Sequence, residues 1–137
     1  MKRWILIGDE VDRCAMPIIL QNHYVLAVHK LRESARFFVD VLGFKVVSEP
    51  AGWVFVKKEN CLVMLGECPG DVPPSEMGCH NYFGYLRVDD VDEYFAQVKA
   101  AGGECISEVA DKPWGMREFG VRTPEGHRIM IGQVIGE

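Results

Sequence analysis

Pro113-Trp114-Gly115-Met116-Arg117-Glu118-Phe119-Gly120-Val121-Arg122-Thr123-Pro124-Glu125-Gly126-His127-Arg128-Ile129-Met130-Ile131 reads as a strand, a tight turn and a second strand, with a tryptophan at its mouth. Glu118 to Arg122 alternates around apolar Phe119 and Val121. In Thr123-Pro124-Glu125-Gly126 the proline presets φ and the glycine tolerates positive φ, which makes a turn. His127 to Ile131 alternates again. Ile129 and Ile131 share one face, and Arg128 and Met130 the other.

Working outward from this hairpin, the chain shows a repeat of about 60 residues. In the first half, Tyr24 to Val28 is a strand. A helix follows, with Leu31, Phe37, Phe38, Val41 and Leu42 at helical spacing and Gly43 as its stop. In the second half, Tyr82 to Val88 is a strand. Asp89-Asp90 then starts a helix carrying Val91, Tyr94, Phe95 and Val98, which Gly102-Gly103 ends. Val28 matches Val88, and Leu31 matches Val91, at one offset. Three strand-like runs follow each helix: Phe44 to Ser48, Trp53 to Lys57 and Cys61 to Leu65, then Glu104 to Val109, Met116 to Arg122 and Arg128 to Val134. The expected fold is α+β: two βαβββ modules forming a cupped mixed β-sheet with the helices on its convex face. One domain spans 1–137, with an N-terminal arm (1–20), module one (22–66), a Pro/Gly-rich linker (67–79) and module two (80–134). Neither module has enough surface to bury its own sheet, so the two are expected to pack together.

The 137 residues suffice for one real core, and 48% hydrophobic with 26% charged residues is an ordinary globular composition. A net charge of −5 argues against DNA or RNA, which call for clustered Lys and Arg, and is compatible with a cationic small molecule. Trp4 to Ile7 is too short for a signal or membrane segment, and no membrane partner is expected. Five cysteines, an odd number, are expected to be reduced thiols in the cytoplasm. Cys68, Cys79 and His80 flank a loop but lack the spacing and the fourth ligand of a metal knuckle. His29, His80 and His127 lie at turns and are expected to be solvated. The acids Asp89, Asp90, Asp92 and Glu93 are accounted for by the helix dipole.

Alternation along the strands sets the candidate site. His23 would share a face with Val25 and Ala27. Leu62 and Met64 face it from the fourth strand, and Phe83, Tyr85 and Arg87 from the fifth. Arg128 and Met130 complete it, with Trp53 and Phe55 along one side and Trp114 at the rim. Such a concavity suits a flat or amphipathic organic ligand. The same apolar residues also suit a collapsed core, and both readings stay open here. Trp114 is equally a loop plug or a ligand contact. Glu118 is the best candidate for a buried carboxylate, near Trp114 and Arg117. Cys61 points away from the site when Met64 points in. No catalytic dyad stands out.

Leu31-x-x-Ser34-x-x-Phe37-Phe38-x-x-x-Leu42-Gly43-Phe44 and Thr123-Pro124-Glu125-Gly126-His127 resemble motifs of the vicinal oxygen chelate superfamily, which includes glyoxalase I, extradiol dioxygenases and bleomycin resistance proteins. The resemblance covers about residues 22 to 134. It implies a divalent-metal site in the metal-dependent members, with His and Glu ligands from the first and fourth strands of each module. Here the matching positions hold His23, Met64, Phe83 and Met130. Phenylalanine cannot coordinate, and thioethers are poor ligands for such ions. A one-residue slip in register restores no carboxylate.

The segment Pro113 to Phe119 and the following Arg122 to Gly126 resemble bleomycin resistance proteins, an antibiotic-resistance group. What this implies is a metal-free, cofactor-free homodimer that sequesters an aromatic or cationic compound without chemistry on it. Two alternatives remain: a divalent-metal glyoxalase-like lyase or dioxygenase using His23, and a binding domain for an unknown metabolite.

Overall fold

In the computed structural model, which describes residues 16–136, eight strands and two α-helices form two equivalent modules. Module one runs β1 (Tyr24–Val28), α1 (Leu31–Asp40), β2 (Lys45–Ser48), β3 (Trp53–Lys58) and β4 (Cys61–Glu67). Two single 3-10 turns, Pro74–Glu76 and Gly78–Asn81, lead into module two: β5 (Tyr82–Arg87), α2 (Val91–Ala100), β6 (Glu104–Asp111), β7 (Met116–Arg122) and β8 (Arg128–Val134). Both helices are 10 residues long and start at the matched positions Leu31 and Val91. The repeat read from the sequence is therefore a repeat of structure.

Each module builds its own four-stranded mixed sheet, in the orders β1-β4-β3-β2 and β5-β8-β7-β6. The first strand of each runs parallel to the fourth, and the other pairs are antiparallel. One face of each sheet is covered. Leu26, Val28, Val54, Val56, Val63 and Leu65 in module one, and Phe119, Val121, Ile129 and Ile131 in module two, are all buried, with Phe38, Leu42, Val91 and Val98 of the helix segments in the same cluster. The alternation of β8 thus holds, with Ile129 and Ile131 inward and Arg128 and Met130 on the other face.

The modules meet on this covered side. Phe83 of β5 stacks edge-on against Phe38 of α1, with centroids 6.4 Å apart. The Tyr94 hydroxyl donates to the carbonyl of Leu42. At the start of α1, Lys30 offers no side-chain cap, and Glu125 of the β7–β8 turn supplies it instead. Its two carboxylate oxygens accept the backbone N–H groups of His29 (2.6 Å) and Lys30 (2.7 Å), and the Ser34 hydroxyl donates at 3.2 Å. A negative group at a helix N-terminus satisfies orphan donors and complements the dipole. In α2 the cap is local: the Asp90 side chain accepts from the Glu93 N–H at 3.1 Å.

Of the arm expected at 1–20, residues 1–15 lie outside the described residues. The segment that follows them exposes Ile18, Ile19 and Leu20 to solvent. Two expectations about histidines need correction. His127 is buried rather than solvated. Thr123 Oγ1 accepts its backbone N–H and lies 3.2 Å from Nδ1, and burial pushes its imidazole pKa down. His29 is only half-buried, and its ring is held by the carbonyl of Asp71 at 2.6 Å.

Candidate functional site

The faces not covered by helices carry most of the predicted site. On module one, Phe55 pairs with Met64 and Trp53 with Gly66 across β3 and β4. The Trp53 and Phe55 rings meet edge-on at 6.1 Å. Gly66 is what lets Trp53 lie over the sheet, because a Cβ there would sit 2.8 Å from the indole. All three predicted side chains are half-buried, neither core nor fully solvated.

On module two, Tyr85 pairs with Met130 across β5 and β8, the counterpart of Val25 and Met64 in module one. The Met130 sulfur lies over Gly120, where a Cβ would be 3.1 Å from it, with Ile106 beside it. Tyr85 crosses Gly132 in turn. At the centre is Glu118, a carboxylate only 5% exposed. Its Oε1 accepts the Tyr85 hydroxyl and the Trp114 indole N–H, both at 3.0 Å. Tyr85 is exposed as a residue, and its hydroxyl lies close over Gly132. Burial, then the bond to Glu118 and the charge of that carboxylate, push its pKa up to about 12. Trp114 is 64% exposed, and its indole N–H is committed to Glu118.

Two expected members, Phe83 and His23, sit differently, and a third, Arg128, keeps its face but is tied up locally. Phe83 does not join this face. The β5–β8 register shifts between Tyr82 and Gly84, and the bulge turns the ring toward Phe38 and Tyr24, 6.4 and 5.3 Å away. A bulged residue leaves the alternation of its strand. His23 precedes β1 rather than belonging to it. It is exposed, with Nε2 3.1 Å from the Gln21 side chain. Arg128 is held in place locally, stacked 3.9 Å over the Tyr82 ring and donating to Asn81 Oδ1 and the carbonyl of Gly78. Arg117, expected near Glu118, instead forms ion pairs with Asp92 and Asp111, both at 3.0 Å.

Other candidates stay apart. Among the described residues no group of three His, Cys, Asp or Glu side chains comes close enough to hold a metal ion. Cys61, Cys68, Cys79 and Cys105 are free thiols, and burial pushes the Cys61 thiol pKa up, away from nucleophilic character. A solvent-open groove of about 1340 Å³ runs between the modules, past His23, Lys58, Glu59, Tyr94 and Arg87. Of the expected site residues, His23, Leu62, Tyr85 and Arg87 border it. No helix among the described residues is long and apolar enough to cross a membrane.

Residues 20–131 match the family model described as the Glyoxalase/Bleomycin resistance protein/Dioxygenase superfamily. A search of curated proteins returned no match. Among solved structures, the chain is similar to TioX from Micromonospora sp. ML1 at 27% identity, covering 83% of this chain and 99% of that one with a TM-score of 0.65. It is similar to a bleomycin resistance determinant encoded on transposon Tn5 at 22% identity, 85% and 99% coverage and a TM-score of 0.71. The bleomycin-binding protein of Streptomyces verticillus, solved with copper(II)-bleomycin, is similar at 21% identity, 89% and 100% coverage and a TM-score of 0.66. The two last likenesses concern the fold.

Proposed function

The chain belongs to the Glyoxalase/Bleomycin resistance protein/Dioxygenase superfamily, and from that membership we propose that it is a cytoplasmic, homodimeric small-molecule binding protein that sequesters an aromatic or cationic compound without converting it. The observation that carries the reading is the pair Met64 and Met130. They stand at equivalent places on the fourth strand of each module, on the open faces, where the family's metal-dependent members are expected to place carboxylates. Thioethers are soft, adaptable surfaces for organic ligands and poor partners for hard cations. Trp53, Phe55, Tyr85 and Trp114 add flat aromatic area around them. Bleomycin-bound and bleomycin-resistance structures share the fold, and this favours an aromatic, cationic compound as the ligand class.

Calorimetric titration of the full chain with bleomycin tests this, preceded by metal analysis of protein purified without chelator. Saturable heat from protein that carries no stoichiometric metal is the expected result. A stoichiometric divalent ion that disappears in His23→Ala would overturn the reading in favour of the metal-dependent alternative. Folded protein that gives no heat would remove the bleomycin assignment.

A further inference from the structure

We propose that Glu118 receives the protonated amine of a ligand whose flat body lies on Tyr85 and Trp114. The inference rests on the reading that the open faces bind a small molecule, and it names the chemical group recognised there. Buried carboxylates are ordinarily matched by a cation, because a lone charge in apolar surroundings is costly. Glu118 is 5% exposed and lies on the same face as Met130 and Ile106. Its protein partners are two neutral donors, Tyr85 and Trp114. Among the described residues no Lys, Arg or His forms an ion pair with it. The adjacent Arg117 is spent on Asp92 and Asp111.

The two oxygens of Glu118 differ. Both bonds fall on Oε1, and no described hydrogen bond reaches Oε2. No buried side-chain oxygen among the described residues lacks a partner, so Oε2 is the oxygen that keeps contact with solvent. A charged acceptor with one open oxygen thus sits between two aromatic rings whose outer faces are exposed. That arrangement suits an ammonium group, which gains a charge-assisted hydrogen bond from the carboxylate and cation–π attraction from the rings. Tyr85 and Trp114 also prevent the carboxylate from rotating, so its open oxygen is aimed before any ligand arrives.

The test compares phenethylamine with phenethyl alcohol, which has the same ring and no charge, on the full chain by heteronuclear NMR. The Trp114 indole N–H signal, assigned through Trp114→Phe, reports the location. The wild type is expected to bind the amine about tenfold more tightly than the alcohol, the size of one charge-assisted hydrogen bond, with the Trp114 signal moving. Glu118→Gln keeps an acceptor for both aromatic donors and loses only the charge, so it is expected to bind both compounds alike. Equal affinities in the wild type, amine binding that leaves the Trp114 signal in place, or a preference that survives in Glu118→Gln would each overturn the inference. The two wild-type readings decide the matter even where the variant fails to fold. Bleomycin binding without any amine preference overturns this inference and leaves the proposed function standing. Absence of binding by bleomycin and both probes overturns both.

Discussion

A Cβ at Gly132 would lie 1.9 Å from the Tyr85 hydroxyl oxygen and 3.1 Å from the Glu118 Cβ. Gly132→Ala is therefore expected to expel Tyr85 from Glu118 and to cost about 1–3 kcal/mol, the range for overpacking a well-filled site. The tyrosine should carry a pH signature. Its folded-state pKa of about 12 stands above the ordinary 10.0. The folded protein then holds the phenolic proton more tightly than the unfolded chain. The resulting stability is fully present below pH 10.0 and is lost as pH rises through about 12. Titration of tyrosinate absorbance should show one group moving down toward 10.0 in Gly132→Ala. An unchanged titration would mean that Glu118 does not hold Tyr85. At this scale the sequence was legible wherever alternation ran unbroken: Trp53, Phe55, Met64, Tyr85 and Met130 all lie on the faces read for them. Phe83 was not legible. A one-residue bulge leaves no mark in a run of Tyr-Phe-Gly-Tyr, although Gly84 beside it is a residue type that bulges favour.

The elements are linked by contacts remote in sequence. Glu125 belongs to a hairpin turn of module two, yet its carboxylate caps α1 of module one. Removing it in Glu125→Ala leaves the His29 and Lys30 N–H groups without their acceptor. Charge-assisted caps of this kind contribute about 2 kcal/mol. The expected outcome is a urea midpoint lowered with an unchanged slope, while Glu125→Gln, which keeps an acceptor, loses less. Equal midpoints for wild type and Glu125→Ala would show the cap to be without consequence. The Thr123 to Gly126 turn and both helices were readable from local residues. The cap was not, because 95 residues separate Glu125 from Lys30 and no periodicity spans that interval. His127 was missed for a related reason. A turn predicts exposure, but this turn is packed against the rest of the chain, with Gly126 so close to Ser75 that a Cβ would lie 2.7 Å from it.

Over the whole molecule, each sheet has one face under a helix and one face open. The open side exposes Val25, Tyr82, Tyr85, Ile106 and Trp114, and the segment before β1 exposes Ile18, Ile19 and Leu20. Exposed apolar and aromatic side chains gathered on open sheet faces suit an interaction surface. Among the described residues β1 and β2 are the edge strands of one sheet and β5 and β6 those of the other, and none of these edges is paired further. A second copy that brings an open face of one chain against an open face of the other would close a cavity lined by Met64, Met130 and the aromatic residues, with Glu118 in its wall. The two-module pattern was visible as a repeat in the sequence. The direction in which its open faces look was not, since that depends on how the modules pack through Phe38, Phe83, Tyr94 and Leu42. Native mass spectrometry of the full chain with bleomycin tests binding without chemistry most directly. The expected result is a dimer that carries bleomycin and releases it at unaltered mass. A bare chain in excess bleomycin, or a released compound of changed mass, would contradict it.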